Sequence, residues 1–281
     1  MNTAFVADST LGLSPSEAQA RGIHLVLAQI ILDGWDYHDY LEITPEQIIQ
    51  ALRRGGKLTT SHTSPAEFQR TYEMLLQKYD RVVSVHASSK LSGFVSTARM
   101  VAQQFGQRVQ VLDSLSVNAG LGYVLEEAQR KLAEGVSWEH LEEAIAPLRA
   151  RVQSLVLPQT LEYLWRGGRI SGLQFFIGSF LKLLPILEFQ DGLVKPVARV
   201  RSFHQGLEQL AQRFRQAFPA GARVTLAHAE NPAALNQLES LIRAEGVLLE
   251  DNRPAGAAVT VHAGPGAVAL FAVPPYRPGL P

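Results

Sequence analysis

A loop rich in hydroxyl side chains follows a strongly apolar run in the first third of the chain. The apolar run is 81–87, and the loop is 88–93, with the sequence SSKLSG. A helical pattern begins after it, which is typical of a buried parallel strand, and ligands bind at the carboxyl ends of such strands. A helix N-terminus there presents free N–H groups to an anion, so the loop could hold a carboxylate or a phosphate. The alternative is an ordinary turn whose hydroxyls only cap the helix.

Three further polar segments stand where predicted strands or loops lead into helices. They are 8–10 (DST), 59–64 (TTSHTS) and 113–114 (DS). In a parallel sheet they would gather with the first loop on one edge, although each alone is more typical of a cap or an Asx-turn. Together they supply hydroxyl donors and few cations. This composition suits one buried carboxylate better than a polyphosphate, which would need Lys, Arg and a metal.

A histidine followed by glycines lies inside the last apolar run. His262 precedes the sequence AGPG, and the pattern predicts that a strand gives way there to a loop whose backbone could approach a ligand closely. The alternative is a bulge with a satisfied core histidine. His228 stands in a similar place without the flanking glycines. If His262 faces a ligand, its protonated form would favour a bound anion, and binding would then depend on pH between about 5.5 and 8.

The segment 173–184 is apolar nearly all round and must be buried on more than one side. It is either a central core helix or the wall of an apolar tunnel. On the tunnel interpretation, the wall includes Phe176, Ile177, Phe180 and Leu184. Four arginines lie on either side of this segment and of the hairpin after it, namely Arg166, Arg169, Arg199 and Arg201. They could form a solvated rim or a surface patch that binds an anion.

The composition excludes several classes of function. The 281 residues carry zero formal net charge, so no bulk field attracts nucleic acid or an anionic membrane. No cysteine is present, which removes disulfides, thiolate nucleophiles and cysteine-based metal sites. No HExxH, Walker, GxGxxG or GxSxG motif occurs, and we expect neither a metal nor a cofactor other than a bound ligand. The first residues lack a signal-peptide pattern, and 170–187 is broken by Lys182 and Pro185, so we expect a cytoplasmic protein without an integral membrane segment.

The elements that must position these residues alternate between strand and helix in the first half. Capped helix starts are predicted at 14–17, 44–47, 64–67 and 231–232, each with proline after the cap residue. Strands are predicted at 4–7, 81–87 and 109–112, and 24–32 reads as one strand leading into a hairpin at 33–34. Strands that alternate with helices favour a parallel sheet flanked by helices. Helical patterns follow over 117–134 and 138–151.

The composition shifts near residue 155, where we place a domain boundary between 1–155 and 156–281. The second half reads as a strand, a short helix ending at 167–168, an apolar helix, and a hairpin over 185–200 around 191–192. A helix at 204–218, a strand at 223–228, a helix at 233–245 and the apolar run 259–273 complete it. The expected fold class is α/β with two domains, a mostly parallel N-terminal sheet and a mixed C-terminal α/β sheet.

Several of these pieces, in this order, resemble the DegV family of bacterial fatty-acid-binding proteins. The likeness covers nearly the whole chain. Each motif alone is weak evidence for the family, while the order of all the motifs together is specific to it. The motifs are 8–10 (DST), 60–65 (TSHTSP), 88–93 (SSKLSG), 113–114 (DS), 164–171 (LWRGGRIS), 185–187 (PIL) leading to 191–192 (DG), Arg201, and 262–266 (HAGPG). The family's best understood members are carrier subunits of fatty acid kinase. The resemblance thus implies a lipid-binding carrier, not itself an enzyme, with a long-chain fatty acid between its two domains.

The resemblance also implies roles for individual residues. Thr60 and Ser92 match the family's carboxylate ligands, and we place Ser61 and Gly93 with them. His262 is implied to lie near the carboxylate. Arg169 and Arg201 are implied to contact a separate ATP-binding kinase subunit. The carrier would present the fatty acid to this subunit for acyl-phosphate formation, and we expect the carrier itself to be a monomer. One departure is 62–63, His-Thr where the family usually has Gln-Pro, which could place a titratable group beside the ligand.

The alternative function is a small-molecule phosphotransfer enzyme related to dihydroxyacetone kinases, acting at the same sheet edge. Such an enzyme would need magnesium-binding carboxylates close together, and the sequence offers only Asp8 and Asp113. A structural protein with a dry core and no ligand is a third possibility.

Overall fold

The computed structural model describes residues 1–61, 63–170 and 183–276. In chain order the strands are β1 (Thr3–Asp8), β2 (Ile23–Val26), β3 (Gln29–Leu32), β4 (Trp35–His38), β5 (Leu58–Ser61), β6 (Arg81–His86), β7 (Val109–Asp113), β8 (Gln153–Leu157), β9 (Leu184–Gln190), β10 (Leu193–Val200), β11 (Ala222–His228), β12 (Val247–Pro254) and β13 (Val268–Val273). The helices are α1 (Pro15–Ala20), α2 (Pro45–Arg53), α3 (Pro65–Leu76), α4 (Phe94–Ala102), α5 (Ala119–Ala133), α6 (Leu141–Arg149), α7 (Glu162–Arg166), α8 (Phe203–Ala217), α9 (Pro232–Ile242) and α10 (Ala257–Ala263), with short 3-10 segments at Ser9–Leu11, Gln103–Arg108 and Trp138–His140.

The strands form two large sheets and one small one, which confirms the predicted mixed α/β fold. The first sheet has the order β2-β1-β6-β7, and its strands are all parallel. The second has the order β10-β9-β8-β13-β11-β12, in which only the β11–β12 pair is parallel. The third is the antiparallel group β4-β3-β5. Strand β8, which contains residue 155, belongs to the six-stranded sheet, while the division into domains at that residue stays a prediction.

Helices cover both faces of the parallel sheet and one face of the mixed sheet. Apolar residues of β1, β6 and β7 pack against α5 and α6 on one face and against α3 and α4 on the other. On the mixed sheet, α8 and α9 pack against alternate residues of β8, β11 and β13. The remaining residues of those strands face the parallel-sheet half of the chain, and this face lies beside the cavity described below.

The predicted helix starts are confirmed, since α1, α2, α3 and α9 all begin at the proline after the cap residue. Ser14 with Glu17, and Thr44 with Gln47, form reciprocal capping boxes. Asn231 accepts a hydrogen bond from the N–H of Ala234. The exception is α3, whose N-cap serine makes no side-chain cap hydrogen bond.

The run 24–32 is two strands in two different sheets, so its prediction as one strand is wrong. β2 lies in the parallel sheet and β3 lies in the small sheet. The chain changes sheet at Leu27 and Ala28, where Thr63 Oγ1 donates a hydrogen bond to the carbonyl of Leu27. The N–H of Ala28 in turn donates to Ser9 Oγ at 3.0 Å. These side-chain hydrogen bonds satisfy the backbone groups between the two sheets. The hydropathy pattern of 24–32 does not indicate them, and so it does not indicate the change of sheet.

The end of the chain departs from prediction at two places. The run 259–273 contains α10 and then β13, so His262 lies in the last turn of a helix and not at a strand end. Gly264 ends that helix with a φ of 77°, a conformation that favours glycine. Strand β12 was not predicted, because its alternation of half-buried and exposed residues includes several charged side chains typical of a sheet edge.

Candidate functional site

A largely apolar cavity of about 220 Å³ lies between the two halves of the chain. Small and branched side chains from the inner face of the mixed sheet form one wall, and they include Val156, Leu187, Val194, Ala227 and Ala269. The other wall comes from the parallel-sheet half and from α10. Polar groups are few and belong mainly to Thr10, Thr60, Ser61, Ser92, Asn118, Arg169, His228 and His262. The cavity can therefore enclose a mostly hydrocarbon molecule that carries a polar group.

Two of the predicted site residues are in direct contact although they lie 202 positions apart. Thr60 Oγ1 and His262 Nε2 are 2.7 Å apart and share a hydrogen bond. Thr60 is held by β5, whose pairing with β3 places it opposite Ile30. His262 is held by α10, whose buried residues pack with those of α2 and β3. The small sheet and α10 thus bring a hydroxyl and an imidazole together in the cavity wall.

The imidazole of His262 fits against the glycine pair that follows α7. A Cβ atom on Gly167 would lie only 2.3 Å from His262 Nδ1, so glycine is required for this approach. Similarly, a Cβ on Gly264 would lie 2.1 Å from Tyr163 Cδ2. His262 Nδ1 is buried and has no hydrogen-bond partner within the described residues. This nitrogen therefore packs against the backbone of Gly167 and is not open to the cavity.

The electrostatic surroundings keep His262 uncharged. Burial lowers the pKa of His262 to about 3, and the neighbouring positive charge of Arg169 acts in the same direction. The imidazole of the free protein is therefore neutral between pH 5.5 and 8. The dependence of anion binding on a protonated His262 stays a prediction, because a carboxylate bound beside the ring would raise the pKa of the imidazole.

The ring resonances of His262 are expected to stay constant between pH 5.5 and 8 in the free protein. With a pKa near 3, less than about 1% of the imidazole is protonated at pH 5.5. Nitrogen-15 NMR of the histidine rings measures this directly. A His262 resonance that titrates near pH 6.5 would contradict the burial argument.

The loop 88–93 lies at the carboxyl end of β6 and leads into α4, as predicted. Ser88 Oγ donates to the carbonyl of Gly192 at 2.7 Å, which ties the loop to the turn of the β9–β10 hairpin. The N–H of Ser89 points to the Asp113 carboxylate at 3.3 Å. Ser92 lines the cavity, and its hydroxyl makes no hydrogen bond within 1–61, 63–170 and 183–276. Ser88 and Ser89 therefore shape the loop, while Ser92 has a hydroxyl free for a ligand.

Gly93 is the N-cap residue of α4 and also lines the cavity. The first N–H groups of a helix have no partner inside the helix, and they carry a partial positive charge. Ser61, at the end of β5, lines the cavity beside Thr60. The cavity wall thus contains every residue predicted for the carboxylate site: Thr60, Ser61, Ser92, Gly93 and His262.

The predicted tunnel residues are placed differently. Phe176, Ile177 and Phe180 lie outside the described residues. Leu184 packs against the core between the mixed sheet and its helices, so its assignment to the tunnel needs correction. Side chains alternate along a strand, and Leu187 and Phe189 of β9 line the cavity instead. The alanines of β11 and β13 were also missed, since only the alternation of small residues along these strands indicates them.

The two arginines predicted to contact a kinase occupy different environments. Arg169 lies in the cavity wall, where Nε donates to the carbonyl of Leu91 at 3.2 Å and Nη1 to that of Gly167 at 2.5 Å. Burial lowers the pKa of its guanidinium below the usual value. Arg201 is exposed just before α8, and its N–H donates to Gln205 Oε1. Arg169 thus adds a cation to the polar part of the cavity.

The carboxylates of Asp8 and Asp113 are engaged in holding loops. Asp8 Oδ2 accepts from the N–H of Ala87 at 2.8 Å and lies 3.1 Å from His86 Nδ1, and Oδ1 accepts from Thr10. Asp113 accepts from the N–H of Leu115. Within the described residues, no group of three or more His, Cys, Asp or Glu side chains could hold a metal ion. Because both carboxylates already accept hydrogen bonds from the protein, they do not favour the phosphotransfer alternative. His62, the departure from the family pattern, lies outside the described residues.

The mixed α/β fold surrounds a mostly apolar cavity with a few polar groups, a composition typical of small-molecule sites. The family model of the DegV family matches residues 2–275, and the chain is 34% identical to a DegV domain-containing protein of Deinococcus radiodurans over 98% of this chain and 99% of the relative. The chain therefore belongs to the DegV family.

Solved structures of the family have the same fold. A DegV family protein from Thermus thermophilus, described by its fatty acid binding, matches with a TM-score of 0.91 at 33% identity, over 98% of this chain and all of that one. DegV from Bacillus subtilis, a fatty acid binding protein, matches with a TM-score of 0.87 at 26% identity over the same shares. In the part of the chain that the structure describes, no helix has the length and hydropathy to cross a bilayer.

Proposed function

We propose that this protein binds a long-chain fatty acid, with the hydrocarbon chain in the apolar cavity and the carboxylate on the cluster of Thr60, Ser61, Ser92, Gly93 and His262. The observation that carries the proposal is the hydroxyl–imidazole pair of Thr60 and His262 in the wall of a mainly apolar cavity. The free Ser92 hydroxyl and the N-terminus of α4 supply further donors. The fatty acid binding of the Thermus thermophilus and Bacillus subtilis proteins supports the same ligand class.

The energetics of such a ligand agree with the composition of the cavity. Burying hydrocarbon contributes about 0.8 kcal/mol per methylene, so a long chain contributes on the order of 10 kcal/mol before association costs. A buried carboxylate is unfavourable unless it is hydrogen-bonded, and each charge-assisted bond returns about 1.5–3 kcal/mol. The chain therefore supplies most of the affinity, while the polar cluster fixes the orientation of the carboxylate.

The ligand class is tested by organic extraction of the purified protein followed by mass spectrometry. The expected result is a long-chain fatty acid in a near-equimolar amount. A phosphorylated metabolite would instead indicate the phosphotransfer enzyme. If no ligand is extracted and the protein, after delipidation, takes up no added palmitate, it is not a fatty-acid carrier.

The proposed role extends to presenting the acid to a separate ATP-dependent kinase subunit that forms an acyl phosphate. Arg201 supports this role because it is an exposed cation that follows β10, at the open end of the β9–β10 hairpin and opposite the turn that contacts Ser88. Arg201→Ala is expected to lower acyl-phosphate formation by a partner kinase at least about tenfold while fatty acid affinity changes less than about twofold, because exposed charges act mainly on partner association. The exposed Arg215 on α8 provides the matched control as Arg215→Ala. Equal rates for both variants would contradict a role of Arg201 in the kinase contact.

A further inference from the structure

The inner face of the mixed sheet forms one wall of the fatty acid cavity, and its residues lie in rows that cross the strands. Side chains alternate along each strand, and cross-strand partners point to the same face of the sheet. One such row consists of Val156 on β8, Ala269 on β13 and Ala227 on β11. All three residues line the cavity. The short side chains of this row leave space for a ligand.

The next row on the same face is Ser154, Phe271 and Thr225, which are paired in the same way. Its two outer members are joined to the parallel-sheet half of the chain. Ser154 Oγ lies 2.9 Å from Ser116 Oγ, and Thr225 Oγ1 lies 3.0 Å from Tyr123 Oη. Phe271 lines the cavity, whereas Ser154 and Thr225 do not. The two halves therefore meet at this row, and the ring of Phe271 closes the cavity there.

Helix α5 holds Phe271 in this position. The residue is only 2% exposed, and it packs in one apolar cluster with Ala119 and Tyr123 of that helix. Val273, the next residue of β13 on the same face, belongs to the same cluster and does not line the cavity. The ring of Phe271 therefore has packed protein behind it and ligand space in front of it.

Phe271 is remote from the loop 88–93, which holds part of the carboxylate cluster. That loop leads into α4 on one face of the parallel sheet, whereas α5 covers the other face. Three phenylalanines line the cavity within the described residues. Phe94 is the first residue of α4, and Phe189 packs in an apolar cluster with Leu91 of the loop, so Phe271 is the one beside α5. A fatty acid that extends from the loop across the cavity therefore reaches Phe271 with its methyl end.

We propose that Phe271 sets the longest acyl chain that this protein accepts, because the methyl end of the bound fatty acid contacts its ring. The inference rests on the fatty acid binding proposed above and adds the residue that selects among chain lengths. Interiors are closely packed, so a ring held by α5 does not move aside without cost. A chain within the limit is buried completely, while a longer chain must displace the ring or leave carbon atoms outside the cavity.

Saturated fatty acids of every chain length from dodecanoate to docosanoate test the proposal on the delipidated full-length protein. Competition with a fluorescent fatty acid gives an affinity for each length, which should rise with each methylene up to the limit and then fall. Phe271→Ala frees the space of roughly three methylene groups, so its limit should lie about two to four carbons higher. The first fatty acids beyond the parent's limit should bind this variant at least about tenfold more tightly than they bind the parent protein.

A second variant and a matched control complete the test. Phe271→Leu keeps a large apolar side chain that is shorter than phenylalanine, and its limit should lie about one or two carbons higher even if the alanine variant folds poorly. Phe189→Leu makes the same change near the loop 88–93, and its limit should equal that of the parent protein. An unchanged limit in Phe271→Leu, or an equal shift in Phe189→Leu, would overturn the role of Phe271 while fatty acid binding stands. If the parent protein binds no member of the series, the proposed fatty acid function itself is wrong.

Discussion

Replacing Ser92 or Thr60 by alanine is expected to weaken palmitate binding about 10- to 100-fold, since each change removes one charge-assisted hydrogen bond to the carboxylate. The Ser92 hydroxyl lines the cavity and has no partner in the described part of the chain. Thr60 Oγ1 keeps its hydrogen for the carboxylate in the tautomer in which His262 Nε2–H donates to it, and Thr60→Ala should therefore also leave that ring less ordered. Fluorescence competition or calorimetry with delipidated protein measures the change in affinity.

The controls for this prediction come from the same loop and the same strand. Ser89 and Thr59 are exposed neighbours of Ser92 and Thr60, and their alanine variants should bind palmitate like the parent protein. Binding of the methyl ester, which lacks the charge, should change less than about threefold in all four variants. If Ser92→Ala and Thr60→Ala bind palmitate as tightly as Ser89→Ala and Thr59→Ala, the carboxylate lies elsewhere.

Filling the cavity from the mixed sheet is expected to weaken palmitate binding by at least about 50-fold. Ala269 on β13 lines the cavity between Val156 and Ala227, its cross-strand partners. In Ala269→Phe the ring would displace roughly three methylene groups of the ligand, at about 0.8 kcal/mol each. The series Ala269→Val, Ala269→Leu and Ala269→Phe should show a loss of affinity that grows with the size of the new side chain.

The loss must arise from occupied space and not from unfolding. Circular dichroism and thermal denaturation of each variant test this, and Ala233→Phe on the exposed surface of α9 provides a control of equal size. The parent protein and the control should bind palmitate equally. If Ala269→Phe is folded and binds palmitate like the control, the acyl chain does not occupy this cavity.

The parallel-sheet half of the fold could be predicted from the sequence because its signals are local. Proline after a cap residue marks the starts of α1, α2, α3 and α9, and short apolar runs mark β1, β6 and β7. Loops that follow parallel strands must meet on one edge, and Ser88, Asp8 and Asp113 do so, although the two acids hold backbone and not a ligand. The family resemblance supplied the residues of the carboxylate site, which periodicity alone could not have selected.

Other features depend on contacts between residues that are distant in sequence. His262 reads equally well as strand or helix, and only its position against Gly167 and Thr60 explains why it is a neutral cavity residue. Leu184 and Leu187 have the same hydropathy, and the register of β9 decides which of them faces the cavity.

The central claim is that a fatty acid carboxylate is held inside the protein by Thr60 and Ser92, with His262 positioning Thr60. Carbon-13 NMR of bound palmitate labelled at the carboxyl carbon tests it most directly. The claim predicts one resonance that stays constant between pH 5.5 and 8, shifts in the Thr60→Ala/Ser92→Ala double variant, and is unchanged in the Thr59→Ala/Ser89→Ala control. A carboxyl resonance that is the same in both double variants and titrates like that of a solvent-exposed acid would contradict it.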